Sequence, residues 1–359
     1  MIELKINGIR YGGWKTASAS RTLNSFASTF ELTVSGRTIG SKKDLPLDGL
    51  AKIYVDGILV ITGYLDEVRP RYDANKHEVV FSGRSKTCDL VDCSAIFETG
   101  QIINGTAKEI IQKIIAPFDI ELVYQADSNP TIPDFQLQQG ETAACAIERI
   151  CNISQLVYTD DAEGRLVIAK IGSGKSSAKL IHNVSYPEQN NILSCDCTYS
   201  HRDIFSEYIV KSQTAGTDFI SGEDISGIEG RISDADVKRY RPLVLLAESA
   251  MDSDASQKRA IWERANRRGR IIELTYTVYG WHTGSGKLWE PNSYINIEDD
   301  FAALSGKMLI SSVNFRAGSG TTTVLSVAPP EAFIPSTANK LIKSFTGWKE
   351  LKEGVKIER

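Results

Sequence analysis

No stretch of the 359-residue sequence approaches the roughly 20 consecutive apolar residues that a membrane-spanning helix needs, so membrane insertion by this chain is not expected. The opening MIELKINGIRYGGW lacks the apolar core and cleavage site of a secretory signal, so export by that route is not expected either. Basic residues are not in excess: 41 Lys and Arg face 45 Asp and Glu, a net charge of −4, which argues against specific nucleic-acid binding. Histidine is scarce, and His77, His182, His201 and His282 offer no pair at metal-ligand spacing. None of the six cysteines, Cys88, Cys93, Cys145, Cys151, Cys195 and Cys197, forms the C-x2-C pair of a structural zinc site. Reduced thiols are expected, with Cys145 and Cys151 acting as small apolar residues of a helix. No metal and no cofactor is expected.

Catalytic motifs are also missing. There is no G-x-S-x-G nucleophile elbow. The segment AKIGSGKSS contains Gly174-Lys175-Ser176, but a phosphate loop needs glycine where Ala169 stands and a helix afterwards. It reads as a polar linker. Asp160, Asp161 and Glu163 could form a pair of hydrolytic carboxylates, but they fall on an expected hairpin tip where acidic residues are ordinary turn formers and no desolvation is foreseen. Asp224, Glu229, Asp234 and Asp236 alternate with glycine without the calcium-loop pattern, so residues 214–236 read as a long solvated loop.

What is present is mostly β pattern. STFELTVSG (28–36) alternates with Phe30, Leu32 and Val34 on one face, KIYVDGILVITGYL (52–65) is a hairpin turning at Asp56-Gly57, and HEVVFSGRS (77–85) adds a strand. Two helices follow. Thr106 and Glu109 have capping-box spacing before a stripe of Ala107, Ile110, Ile111, Ile114 and Ile115 that Pro117 stops. The second carries Ala143, Ile147, Ile150 and Cys151 on one face, and QLVYTDDAEGRLVIAKIG then gives two strands. β character returns at 203–213, where Ile204, Ser206, Tyr208 and Val210 share a side. RTLNSFASTFELTVS (21–35) and RDIFSEYIVKS (202–212) match weakly, which raises a duplicated β domain. RYRPLVLLAE is expected to be a buried strand and residues 254–268 a helix whose basic face meets solvent or an acidic neighbour. Beyond it, Trp281 and Trp289 bracket a glycine-rich hairpin turn.

The expected fold is therefore mainly β with α+β: two small antiparallel β-barrel-like domains and an intervening α+β module. The boundaries are 1–95 for the first barrel-like domain (with strands from 178–200 as candidates to complete it), 96–177 for the module, 178–333 for the second, and 334–359 for a basic amphipathic tail. Trp281, Trp289, Trp262, Phe30 and Tyr208 are the core or interface candidates; a sugar-stacking role for the tryptophans is the alternative.

RYRPLVLLAE, KRAIWERANRRGR, TVYGWHTGSGKLWEPN and PPEAF together resemble the Mu-type phage tail protein P family, the central baseplate hub. GETAACAIERICNISQLVYTDDAEGRLVI is similar to the helical module shared with the late control protein D group. The resemblance implies a non-enzymatic homotrimer in the virion tail baseplate, made and assembled in the host bacterial cytoplasm. Its partners would be the tail spike, the tail tube and other baseplate proteins. Two like barrels per subunit would let three subunits meet a six-fold tube on one side and a three-fold spike on the other while DNA passes. A cell-wall-degrading tail enzyme, or the hub of a tailocin or type VI secretion-like particle, are the competing readings.

Overall fold

The computed structural model describes residues 1–35, 47, 49–97, 99–174, 178–212, 228–247, 253–269, 272–302 and 304–333. The tail expectation at 334–359 lies outside them, as do Asp224 and most of the 214–236 segment.

Seven strands come first: β1 (Ile2–Ile6), β2 (Ile9–Tyr11), β3 (Thr16–Thr22), β4 (Thr29–Ser35), β5 (Leu50–Val55), β6 (Ile58–Tyr72) and β7 (His77–Ser85). Alternation buries Phe30, Leu32 and Val34 of β4 as the pattern requires. Asp56 and Gly57 both take positive φ, 46° and 78°, the geometry of a two-residue turn that follows strand twist, and join β5 to β6.

An α+β module follows: α1 (Cys88–Asp92), β8 (Gln101–Thr106), α2 (Ala107–Ile115), β9 (Leu122–Tyr124), β10 (Thr131–Gln136), α3 (Ala143–Ser154), β11 (Val157–Asp160) and β12 (Leu166–Ala169). The capping box forms, with the Thr106 hydroxyl accepting from the Glu109 amide at 3.3 Å and the Glu109 carboxylate accepting from the Thr106 amide at 2.9 Å. The Thr106 amide, and the Thr106 hydroxyl at 2.7 Å, both donate to the Glu109 carboxylate and hold it below its usual range. The isoleucine stripes of α2 and α3 close one core with Phe135 and Ile168.

The remaining elements are β13 (Ala178–His182), β14 (Ile192–Tyr199), β15 (Glu207–Lys211), β16 (Glu229–Ser233), β17 (Pro242–Leu246), α4 (Ser253–Gly269), β18 (Ile272–Tyr279), β19 (Tyr294–Asp299), β20 (Leu304–Ala317) and β21 (Thr321–Ala328). β16 occupies residues expected to be loop. β15, β16 and β17 form a separate three-stranded sheet under α4. Gly230 lets the helix close on β16, since a Cβ there would lie 2.1 Å from the Ser256 carbonyl. β17 is not the buried strand expected from RYRPLVLLAE: among the described residues it pairs with β15 alone, and Val244 and Leu246 are exposed.

A thirteen-stranded sheet carries the rest, and it contains one strand order twice. Numbering the paired strands by chain order, β1, β3, β4, β5, β6 and β7 lie in the order 2-3-6-5-4-1, and β13, β14, β18, β19, β20 and β21 lie in the same order. The registers coincide as well. Leu50 faces Tyr64 as Tyr294 faces Leu309, Phe30 faces Gly83 as Leu274 faces Val327, and β6 and β20 each bulge at one equivalent residue, Asp66 and Ser311. The pairs differ in one direction: β1 runs antiparallel to β5, while β13 runs parallel to β19. The repeat therefore equates Phe30 with Leu274. The sequence match to Tyr208 is superseded, because any amphipathic strand shares its alternation and β15 sits in the other sheet. Strands from 178–200 complete the second set, not the first. Among the described residues no sheet closes on itself; the barrel-like sets are open, joined edge to edge where β3 pairs with the second half of β20. One core cluster runs through both sets.

The module docks on the first set through Asp160. Far from a solvated hairpin tip, this side chain is 1% exposed. Its carboxylate accepts from the Ser28 hydroxyl at 2.7 Å and the Ser28 amide at 3.0 Å, while Tyr158 stacks on Phe26 at 4.2 Å between centroids. Burial pushes the Asp160 carboxyl above the usual carboxylate range, against the pull of Arg21 and of the Ser85 and Ser28 bonds. A raised pKa means that the folded state holds this proton more tightly, so the contribution is complete below about pH 4 and declines as pH rises through the folded value. The stability difference between wild type and Asp160→Asn, from urea midpoints, should accordingly shrink from about pH 4 upward. A difference constant with pH would refute this.

Candidate functional site

The hairpin between β18 and β19 brings both candidate tryptophans into the sheet core. The Trp289 amide donates to the Trp281 carbonyl at 3.1 Å, His282 bridges Leu288, and Gly286 turns the chain with φ 78°. Trp281 and Trp289 are buried in the cluster shared by both six-strand sets. Trp281 donates through Nε1 to the Arg316 carbonyl at 3.0 Å, which ties the hairpin to β20 beside the junction with β3. It also walls a cleft of about 410 Å³ with Met1, Trp14, Asp56, Ala317 and Thr321. Neither ring stands as an exposed stacking platform.

Phe30 is buried across Gly83, where a Cβ would meet the ring at 2.4 Å. Tyr208 is enclosed under α4, and its hydroxyl accepts from the Phe205 amide at 3.1 Å. Trp262 is half-buried on α4 with the Arg259 guanidinium 4.6 Å from its ring centre. The five candidates thus fall into two places: Trp281, Trp289 and Phe30 in the large sheet's core, Tyr208 and Trp262 in the small α/β layer.

The charged residues are largely spoken for. Arg259, expected on a solvated basic face, is buried with Glu263 at 2.7 Å, and Arg267 reaches the same carboxylate at 2.5 Å. Burial alone would raise the Glu263 carboxyl, but the two guanidinium groups outweigh it and hold it low. Arg268 grips both Asp234 and Asp236, and Arg231 lies 3.3 Å from Glu229, so these acids serve the fold. Asp161 accepts the Glu163 and Arg165 amides and pairs with the Arg165 side chain at 2.6 Å, while Asp160 faces Ser28; the three carboxyls do not converge on one cleft. Among the described residues no group of three or more His, Cys, Asp and Glu side chains is arranged to hold a metal ion. Gly172 and Gly174 of the linker are held by Asn292 at 2.8 and 3.0 Å, and β13 follows where a phosphate loop would need a helix. Cys151 is buried as expected, but Cys145 is exposed, because its position on α3 turns it outward.

The sequence reading missed the buried Asp160 and the Arg259–Glu263 pair; four-residue spacing on a helix was the available signal for the second. Exposed apolar side chains mark the outer sheet edges, with Tyr72 82% exposed at the end of β6 and Leu193 57% exposed near the start of β14.

Emptying the Trp281 site removes a large buried ring and its hydrogen bond to the Arg316 carbonyl. Trp281→Ala should lower unfolding free energy by about 3–5 kcal/mol, with Trp281→Phe intermediate. Chemical denaturation measures this, and an unchanged midpoint would refute a core role.

Three family descriptions match along the chain: the N-terminal domain of Mu phage baseplate assembly protein GpP-like proteins at residues 1–85, the second domain of baseplate hub protein gp44-like proteins at 87–170, and the fourth domain of Mu phage baseplate assembly protein GpP at 252–336. Over 348 residues the chain is 30% identical to the baseplate hub protein gp44 of Escherichia phage Mu, covering 93% of this chain and 89% of that one. Its fold is similar to the 43 kDa tail protein of prophage MuSo2 from Shewanella oneidensis, at TM-score 0.78 and 30% identity over 92% of this chain and 98% of that one. A tail protein from Neisseria meningitidis MC58 shares the fold at TM-score 0.77 and 22% identity, over 91% and 96% of the two chains. Matches that run the length of the chain, at this identity, place it among the baseplate hub proteins of Mu-like phages, and the chain belongs to that family.

Proposed function

We propose that this chain is a structural, non-enzymatic hub that assembles as a homotrimeric ring in the tail baseplate, adapting the six-fold tail tube to the three-fold central spike. The observation that carries the reading is the repeated strand order with matching registers in one polypeptide. Two like sets per chain give six like units in a trimer, so one face can meet six-fold neighbours while the inserted parts keep three-fold symmetry. The insertions fall at unequal places: the α+β module follows the last strand of the first set, and the α4 layer interrupts the second set between β14 and β18. In this reading the boundaries at 95/96 and 177/178 separate the ring-forming sets from the module. Buried Trp281, Trp289 and Phe30 stiffen the ring units, and Tyr208 and Trp262 stiffen the α4 layer.

The tail tube, the spike and neighbouring baseplate proteins are the proposed partners, and assembly takes place in the bacterial cytoplasm before release in the virion. A net charge of −4 suits a bore through which DNA slides without being held. Sedimentation velocity should give a species near three times the 39.5 kDa chain mass at micromolar concentration. A stable monomer would overturn the ring. A peptidoglycan zymogram should stay blank, and a clearing band would favour a wall-degrading enzyme.

A further inference from the structure

We infer that the ring closes by strand addition: the outer edge of β14 in one copy pairs antiparallel with the outer edge of residues 67–72 of β6 in the next. This rests on the trimer reading and names the surface that would build it.

The argument comes from the seam inside the chain. There the second strand of the first set, β3, pairs with the latter half of the fifth strand of the second set, β20. The repeat supplies the same two edges at the far ends. The second strand of the second set is β14, which pairs with β18 along one edge; among the described residues no strand takes its other edge. The fifth strand of the first set is β6, whose partner β5 stops at Tyr64; among the described residues no strand covers the same edge from residue 67 to 72. A chain with complementary unused edges at opposite ends forms a head-to-tail contact, which closes into a ring when the rotation permits.

Transferring the internal register predicts the external one. Val313 faces Arg21, Phe315 faces Ala19, Arg316 faces Ser18 and Ala317 faces Ala17. The equivalent positions pair Val68 with Tyr199, Pro70 with Cys197, Arg71 with Asp196 and Tyr72 with Cys195.

Two features of the side chains agree with this register. On the core face, Ala17, Ala19, Val313 and Phe315 are buried at the internal seam, whereas Cys195 and Tyr72 at the matching outer positions are exposed and Val68 and Cys197 are only half-covered. These are the side chains a neighbouring copy would cover. On the opposite face, exposed Arg71 and Asp196 stand directly across from each other, a favourable cross-strand pair of opposite charge. Pro70 has no N–H to donate, so the ladder loses at most one bond there, and indiscriminate pairing along this edge is limited.

Charge exchange and cross-linking test the seam. Arg71→Asp and Asp196→Arg should each raise the concentration at which the trimer half-dissociates at least about tenfold, and the double reversal should bring it back towards wild type. In the second arm, Tyr72→Cys is placed opposite native Cys195. With added oxidised glutathione, which is reduced as the two thiols join, it should give covalent dimers and trimers on a non-reducing gel, and none in the Tyr72→Cys, Cys195→Ser variant. A wild-type monomer would overturn both the ring and this seam. A wild-type trimer that ignores both single charge reversals, or a Tyr72→Cys trimer that gives no Cys195-dependent cross-link, would overturn the seam and leave the ring standing.

Discussion

The pairing of β3 with β20 is the constraint on which the rest of the molecule depends. It joins strands nearly three hundred residues apart and turns two six-strand sets into one surface with one core. Without it each set would present an open edge there, and the core face around Ala17, Ala19, Val313 and Phe315 would lose its cover. Contacts so distant in sequence form late and depend on everything between them, so the intervening module must fold without disturbing the two edges that meet.

The module meets that need by having its own core and a narrow attachment. Its isoleucine helices close on themselves, and its principal link to the sheet is the β11 hairpin seated on the loop before β4. A buried carboxylate bonded to one serine fixes the joint in direction more than it strengthens it, since the desolvation of Asp160 offsets much of what its hydrogen bonds supply. The α4 layer is likewise self-contained, with Glu263 held between Arg259 and Arg267 on the helix.

Local structure was legible wherever a short pattern had a single physical solution. Thr106 and Glu109 could cap only a helix start, Asp56-Gly57 could turn only tightly, and the alternation of Phe30, Leu32 and Val34 needed one covered face. The hub family was legible too, through the tryptophan hairpin and the basic helix beside it. The repeat was visible as an idea and misplaced in detail: the true partner of Phe30 is Leu274, and the remaining likeness between VSG at 34–36 and VYG at 278–280 is too short to stand out. Asp160 was misjudged because a carboxylate beside a turn looks the same in sequence whether its surroundings are water or another domain's loop. The exposure of β17 could not be read either, since apolar runs do not reveal which side of a strand lacks a neighbour.

Carrying both strand sets on one polypeptide has a further effect. Translation delivers them in equal number and in fixed alternation, so a closed assembly cannot contain too many of one kind or place two of a kind side by side. Each copy is then free to drift under separate selection. The first has small alanines where its sheet is already covered, and the second carries the large helical insertion, yet the geometry they share is held by the bonds between their backbones.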